Sequence, residues 1–299
     1  MSVVFRAPSM QKAVPAPDAF YRALHRIADE AEPNLRRALL RAFRRLQAGL
    51  GLPRLEDLFQ YGDAQALERV GFWRAVEDEL GAAVTPTLRT TVLAGGLATT
   101  RRLPELGVQF DLTNPRALRA VEQQGAQLVH AITEESRQAI QRLIEEAVQG
   151  QFDVRQLARQ IRSSIGLTSP YAVAVERYRA GLVDQGIAEG KALDRAQAYA
   201  DRLLRARAET IARTEVMTAV NAGQQAVWDE ATQQGTLAPG TKRVWIVTPD
   251  DRLCPYCAPL DGQEVGLQEA FDSELGPVDY PPLHQNCRCA IGLAILEES

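Results

Sequence analysis

The chain has 299 residues, 45% of them hydrophobic, which is enough apolar material for one large core or two smaller ones. Its formal net charge of -4 argues against a protein that coats nucleic acid through an overall positive field. No run of roughly 18 apolar residues occurs, and the start lacks the charged and apolar regions of a secretory signal, so we expect a protein made in a reducing cytoplasm with no membrane partner.

The chain opens with a short arm that precedes a helical region. Residues 1–18 carry three prolines among small residues and predict a flexible, irregular arm. Residues 19–150 predict helices, the first clear one having an apolar face with helical spacing: Leu35, Leu39, Phe43 and Leu46. A second face of that helix is basic: Arg37, Arg41, Arg44 and Arg45. Such a face is usually solvated, but it is also a candidate contact for DNA or an acidic partner.

A long helix is predicted to follow Asn114-Pro115, a capping residue and a proline at the first helical position. An apolar stripe follows most of its length: Leu118, Val121, Leu128, Ile132, Ile140, Leu143 and Ile144. With Gly150 as its end, the helix would span on the order of 50 Å and suit an elongated scaffold. His130 lies in it with no second ligand nearby and is interpreted as an ordinary histidine.

The periodicity changes near residue 235. Residues 151–235 continue the helical pattern, with a helix opened by Thr168-Ser169-Pro170, whereas residues 236–299 do not. There, residues 243–247 are β-branched and aromatic, Asp261-Gly262 signals a tight turn, and a strand is expected from Cys287 onward. The predicted fold class is α+β: an elongated, mostly α-helical N-terminal and central region with a small C-terminal zinc-stabilised β-containing domain.

All four cysteines lie in two close pairs in the last fifth of the chain. Disulfides are disfavoured because no secretion signal is present and a Cys-x-Cys bridge is strained. A thioredoxin-like redox motif would need a βαβ setting and would not explain the second pair. A structural or catalytic metal remains, and the spacing favours zinc.

Cys254 and Cys257 have the spacing of a zinc knuckle, and His284, Cys287 and Cys289 arrive about thirty residues later. These five candidates compete for about four places in a tetrahedral site. Cys254 and Cys257 are the firmest; the other half is either Cys287 with Cys289, or His284 with one of them. Four protein ligands would leave no position for substrate.

Catalytic signatures are not found. The histidines lack the His-x-Glu of zinc deaminases, and Leu253 stands where their signature has proline. A phosphate-binding glycine loop, a Gly-x-Ser-x-Gly elbow and a His-Glu-x-x-His pair are also missing from the sequence. We therefore expect a protein that is not an enzyme.

Three stretches in order, "ETIARTEVMTAVNAGQQAVWDEA", "TPDDRLCPYCAPLDGQ" and "PPLHQNCRC", resemble the Mu F-like minor head proteins of tailed phages. The helical region from "SPYAVAVERYRAG" onward is also similar to that family, so the resemblance covers about residues 150–296. It implies a role in head morphogenesis, with a few copies at the portal vertex that enter the procapsid and assist DNA packaging or delivery. The implied location is the virion, after synthesis in the host cytoplasm.

The resemblance also implies partners and a motif. The implied partner is the portal protein, with capsid or scaffold protein and packaged DNA as further candidates. The motif residues on one predicted helix are Arg213, Thr214, Glu215 and Asn221. They could form a catalytic set, but we favour pairing of Arg213 and Glu215 with neighbouring elements and bonding of Asn221 to backbone beside the zinc sheet. Some members carry a toxin or transferase domain after this region; none is expected here.

Two other functions compete with a structural, portal-associated minor capsid protein. One is a zinc-dependent nucleic-acid enzyme, a nuclease acting during packaging, with His284 as general base. The other is a DNA-binding module that uses the arginines of residues 36–45 and 202–213. Metal coordination separates the first from a structural role, since a closed site has four protein ligands and an open one binds water.

Overall fold

The computed structural model describes residues 19–59, 66–111, 113–149, 153–238, 240–248 and 253–294. The predicted arm, residues 1–18, lies outside them. Helices come first: α1 (Ala19–Gly49), α2 (Leu52–Phe59), α3 (Ala66–Arg69), α4 (Phe72–Arg102), α5 (Pro115–Gln149), α6 (Val154–Ser164), α7 (Ser169–Asp184) and α8 (Glu189–Gln234). Three strands follow: β1 (Lys242–Ile246), β2 (Glu264–Gly266) and β3 (Ala290–Ala294). A mostly helical chain with a small C-terminal sheet confirms the α+β prediction.

Helix α5 forms where the capping signal places it. The side chain of Asn114 accepts hydrogen bonds from the backbone N–H groups of Arg116 at 2.9 Å and Ala117 at 3.2 Å, two of the donors that a helix start leaves unpaired. The predicted stripe is buried except at Leu118, which is half-buried, and His130 is exposed as an ordinary surface histidine.

Helix α8 is one continuous element of 46 residues. It ends because Gly235 adopts a left-handed conformation with φ of 68°. The N–H of Thr236 then donates to the carbonyl of Ala231 at 3.0 Å, which satisfies one of the last free carbonyls of the helix. The predicted change of period at residue 235 is confirmed.

The sheet is antiparallel, with strand order β2-β1-β3. The prediction of a strand from Cys287 is wrong, since β3 begins at Ala290, which pairs with Ile246. The carbonyls just before Ala290 are bonded to side chains instead of a strand. Arg288 accepts from the hydroxyl of Thr248 at 2.9 Å, and Cys289 accepts from the amide of Asn221 at 3.4 Å.

The contacts divide the chain into two compact units. The first comprises Met1–Leu35, Thr85–Gln124 and Thr210–Ser299, and the second comprises Arg36–Val84 and Gly125–Glu209. Helices α1, α4, α5 and α8 each contribute to both. The predicted consecutive segments, with boundaries after residues 18, 150 and 235, stay a prediction about independent folding. None of the helices in the described ranges offers an apolar stretch long enough to cross a bilayer.

In the first unit, α4 and α8 cross at glycines. A Cβ on Gly95 would lie 2.5 Å from the carbonyl oxygen of Val220, and one on Gly223 would overlap the carbonyl of Val92. The crossing therefore needs two residues without side chains. It fixes α8 beneath the sheet, whose buried face includes Trp245 and Ile291.

In the second unit, the predicted apolar face of α1 is buried and its arginine face is exposed. Arg37, Arg41 and Arg44 point away from the core, and Arg45 pairs with Glu79 at 3.0 Å. An arginine on α8, Arg207, is buried and donates to the carbonyl of Gly166 and the carboxylate of Glu135. Burial lowers the pKa of Arg207, while Glu135 opposes that effect.

Candidate metal centre

The first half of the cluster is a tight turn from Cys254 to Cys257. The N–H groups of Cys257 and Ala258 donate to the carbonyl of Cys254 at 3.2 and 3.1 Å. The N–H of Cys257 also lies 3.3 Å from the sulfur of Cys254. This turn brings the two thiols to one side of the loop, which is the geometry expected of a knuckle.

The second half is the turn from His284 to Cys287. It is closed by the N–H of Cys287, which donates to the carbonyl of His284 at 3.1 Å. Asn286 has a φ of 61°, a left-handed conformation that asparagine tolerates better than most residues. Cys287 and Cys289 follow the turn, each 2% exposed.

The five predicted ligands lie in one cluster that shares Cys257. They form two overlapping groups, Cys254 with Cys257 and His284, and Cys257 with Cys287 and Cys289. Within each group the ligand atoms lie within 4.8 Å of one another. Such a cluster can hold a metal ion, and Cys257 is common to both groups. Which residues form the second half of the site stays a prediction.

The distances suit an ion bound among these atoms. The sulfurs of Cys257 and Cys287 are 3.7 Å apart, close to the separation of about 3.8 Å that tetrahedral zinc with bonds of about 2.3 Å imposes. The Nε2 atom of His284 lies 2.9 Å from the sulfur of Cys254 and 3.2 Å from that of Cys257. Both are shorter than the roughly 3.6 Å expected between two ligand atoms of tetrahedral zinc.

The His284 ring is oriented by its own backbone. Its Nδ1 atom lies 2.8 Å from the carbonyl of Gln285, which can only accept, so Nδ1 carries the proton and Nε2 faces the sulfurs. Burial by itself would lower the pKa of His284, but the bond to Gln285 and the contact with Cys254 outweigh it and raise the pKa.

Without a cation, the thiols share protons among themselves. The contacts of Cys287 with the thiols of Cys257 and Cys289 lower its pKa to about 2. The pKa of Cys257 is correspondingly raised, chiefly by its hydrogen bonds with Cys287 and Cys289. A divalent cation would replace these protons and let several thiolates coexist, which is what a soft, sulfur-rich ligand set requires.

Helix α8 holds the second half of the cluster through polar side chains. Thr214 accepts from the N–H of Asn286 at 3.0 Å, inside the His284 turn. The amide of Asn221 donates to the carbonyls of Pro281 at 3.1 Å and Cys289 at 3.4 Å. Two of the four motif residues therefore bind backbone beside the metal cluster, as expected for Asn221.

The other two motif residues pair elsewhere. The guanidinium of Arg213 lies 3.3 Å from the carboxylate of Glu32 on α1. Glu215 accepts a hydrogen bond from the amide of Gln124 at 2.9 Å. Burial raises the pKa of Glu215, and the bond from Gln124 only partly offsets that rise. Each of the four residues thus has a partner of its own.

Sequence reasoning missed Arg243, which is 2% exposed in β1. It donates to the side chain of Gln225 at 2.9 Å and the carbonyl of Asp279 at 2.7 Å, and its guanidinium lies 5.4 Å from the Phe271 ring centre. It therefore fastens the loop between β2 and the metal ligands. The available signal was its position two residues before Trp245, on the same face of the strand.

The family model described as "Phage Mu protein F like protein" matches residues 138–292. The match begins in the last third of α5, spans all of α6 to α8, β1 and β2, and ends within β3, so it includes all five candidate ligands. No curated protein and no solved structure matches the chain. Because the match covers just over half of the chain, the protein belongs to the phage Mu protein F-like family, whose members are phage head morphogenesis proteins.

Proposed function

We propose that this protein is a structural minor capsid protein that sits at the portal vertex, enters the procapsid during assembly and aids DNA packaging or delivery. The family supports a head protein located in the virion. The observation that carries a structural role is the use of the α8 polar residues: Thr214 and Asn221 bind the backbone of the metal module. They act as clamps between a long helix and a small sheet.

The metal that we propose is one structural Zn²⁺ per chain. Four cysteines and one histidine supply more donors than a tetrahedral ion needs, and three of the sulfurs are buried. Bound there, zinc would join the Cys254 turn to the His284 turn and hold both against α8. A small sheet of three short strands gains much of its folding free energy from a structural metal ion bound in this way.

We also propose that the protein has no turnover of its own on nucleic acid. His284, the candidate base of a nuclease, directs Nε2 at two sulfurs and Nδ1 at a carbonyl, so neither nitrogen is placed to activate water. Incubating pure zinc-loaded protein with DNA should give no cleavage. Metal-dependent cleavage that His284→Ala abolishes while the fold survives would establish the enzyme instead.

The proposed partner is the portal protein, with capsid or scaffold protein and packaged DNA as secondary partners. The apolar stripe of α5 is buried within the chain, so we expect attachment through other surfaces of the helical part. Co-expression with the portal protein of the same phage should yield a complex, and cryo-microscopy of procapsids should place the chain at the portal vertex. Density elsewhere in the shell, with no complex in solution, would refute portal attachment.

The exposed Arg37, Arg41 and Arg44 are the face on which we propose any DNA contact. Because phosphate contacts release counterions, DNA binding should weaken steeply as the salt concentration rises. Changing the three arginines to glutamine should make this dependence of the binding constant on salt less steep. The matched control is Arg45→Gln, which changes a fourth arginine of the same helix whose side chain pairs with Glu79. Binding that is insensitive to all of these changes would exclude this face.

A further inference from the structure

The buried indole of Trp245 has no conventional hydrogen-bond acceptor. Trp245 is completely buried in β1, and among the described residues its Nε1–H finds no partner by ordinary distance and angle. Buried polar groups are almost always bonded, so an orphaned donor beside a metal cluster requires an explanation.

The strand register shows where the indole points. Trp245 pairs with Ile291 across the β1–β3 ladder, and Cys289 precedes Ile291 by two residues. Side chains two residues apart share a face, and diagonal neighbours of this kind lie within reach of an aromatic ring. Cys289 is buried at this diagonal position, immediately before the first residue of β3.

We propose that Trp245 is a positioning residue of the metal centre: its indole N–H donates to the sulfur of Cys289, which is thereby one of the metal's thiolate ligands. A neutral thiol is a poor acceptor, whereas a metal-bound thiolate is a good one, so metal binding supplies the acceptor that the indole lacks. The T-shaped packing of Trp245 on Phe271, at 5.2 Å between ring centres, holds the indole in place. This inference rests on the proposed metal site and selects one of the alternatives for its second half.

The test uses the full chain loaded with Co²⁺, whose sulfur-to-metal charge-transfer bands report each thiolate, and with Zn²⁺ by competition. Trp245→Phe keeps an aromatic ring but removes the donor, and it should lower metal affinity by about 10- to 100-fold. The charge-transfer bands should move to lower energy, because a sulfur without its hydrogen bond gives up electron density more easily. A packing defect alone would not shift these bands.

Trp228→Phe is the matched control, because Trp228 is another buried tryptophan whose Nε1 has no ordinary partner. It should leave both affinity and spectrum unchanged. Cys289→Ser should remove one thiolate's share of the charge-transfer intensity, which tests the ligand assignment even if Trp245→Phe folds poorly.

Wild-type affinity and an unshifted spectrum in a folded Trp245→Phe protein would overturn the proposal, as would full charge-transfer intensity in Cys289→Ser. Failure of the wild-type chain to bind Co²⁺ or Zn²⁺ would instead remove the metal centre itself. Portal attachment is judged separately, by the complex in solution.

Discussion

Asn221 is the side chain that most directly couples α8 to the metal cluster. Its amide bonds the carbonyl of Met217 one turn earlier at 2.9 Å and also reaches the carbonyls of Pro281 and Cys289. The residue is completely buried, so no water can replace these bonds. Asparagine supplies two donors from one nitrogen, which is why a shorter hydroxyl side chain would not serve here.

Asn221→Ala should lower the free energy of unfolding by about 1–3 kcal/mol and weaken metal binding, because it leaves buried carbonyls unpaired. Urea unfolding and Zn²⁺ competition measure the two effects. Asn34→Ala is the control, since Asn34 makes the same bond to the preceding turn, at 3.2 Å to the carbonyl of Glu30, at an exposed position. Equal losses in both variants would show that the bridge contributes nothing.

The raised pKa of Glu215 predicts how the free energy of unfolding changes with pH. Its pKa is raised above 4.5 by burial, so the folded state holds this proton more tightly than the unfolded state does. The contribution of Glu215 to the free energy of unfolding is therefore fully present at pH below 4.5. It is lost as the pH rises through the higher pKa of the folded state. Glu215→Gln keeps an oxygen for Gln124 but cannot ionise, so it should be more stable than wild type at neutral pH.

Urea melts from acid to neutral pH measure this difference. The gain should vanish towards the acid end, where wild-type Glu215 is already protonated. Glu230→Gln serves as control, because Glu230 pairs with Arg116 at 3.2 Å and should not become more stable on neutralisation. Parallel pH profiles for wild type and Glu215→Gln would contradict the argument.

Among individual residues, the sequence predicted those whose type and spacing indicate a specific chemistry. It did not predict those whose role depends on being buried in the fold. Cysteine spacing identified all five candidate ligands, and the capping preferences of asparagine located the start of α5. The strand pattern located Arg243 and Trp245 in β1 but did not predict their contacts. Their roles depend on neighbours that only the fold supplies, such as Phe271.

At the scale of elements, periodicity located the helices better than the strands. The apolar stripe of α5 and the end of α8 at Gly235 agree with prediction because each repeats or terminates a local pattern. The start of β3 does not agree with prediction. The alternating pattern begins at Cys287, but the carbonyls just before Ala290 bond the side chains of Asn221 and Thr248 and not a neighbouring strand. A strand exists only where a partner strand is available, and that is not a local property.

At the α4–α8 crossing, the helix propensity of alanine and the close packing of the two backbones have opposite effects on a glycine-to-alanine substitution. Alanine favours helix over glycine by about 1 kcal/mol, yet a methyl group at Gly223 would overlap backbone of α4. Overpacking usually costs about 1–3 kcal/mol, and backbone cannot move aside as a side chain can. Gly223→Ala should therefore destabilise the chain, as measured by thermal unfolding.

Gly81→Ala is the control for that exchange, because Gly81 lies within α4 and an added Cβ meets nothing within 4 Å. It should stabilise the protein by up to about 1 kcal/mol through propensity alone. Stabilisation by both substitutions would mean that α4 and α8 do not approach each other as closely as described.

For the molecule as a whole, the metal module is part of a larger compact unit. Residues 210–299 belong to the same unit as residues 85–124, and α8 carries the clamps that hold the sheet. The second unit contains the exposed arginine face and none of the candidate ligands. Loss of the metal should therefore loosen one unit selectively, and a fragment restricted to residues 236–299 would leave Asn221 and Gln224 behind.

Hydrogen exchange on the full chain, with and without metal, tests this selectivity. After removal of zinc by a chelator, amides of β1, β3 and residues 253–289 should exchange faster, because both turns lose the ion that joins them. Amides of residues 36–84 and 125–209, apart from those left unprotected in either state, should keep their protection. Readdition of Zn²⁺ should restore the original pattern, whereas Mg²⁺, which prefers oxygen ligands, should not. Uniform loss of protection across both units would show that the metal governs the entire fold, and unchanged protection everywhere would show that the cluster contributes no stability.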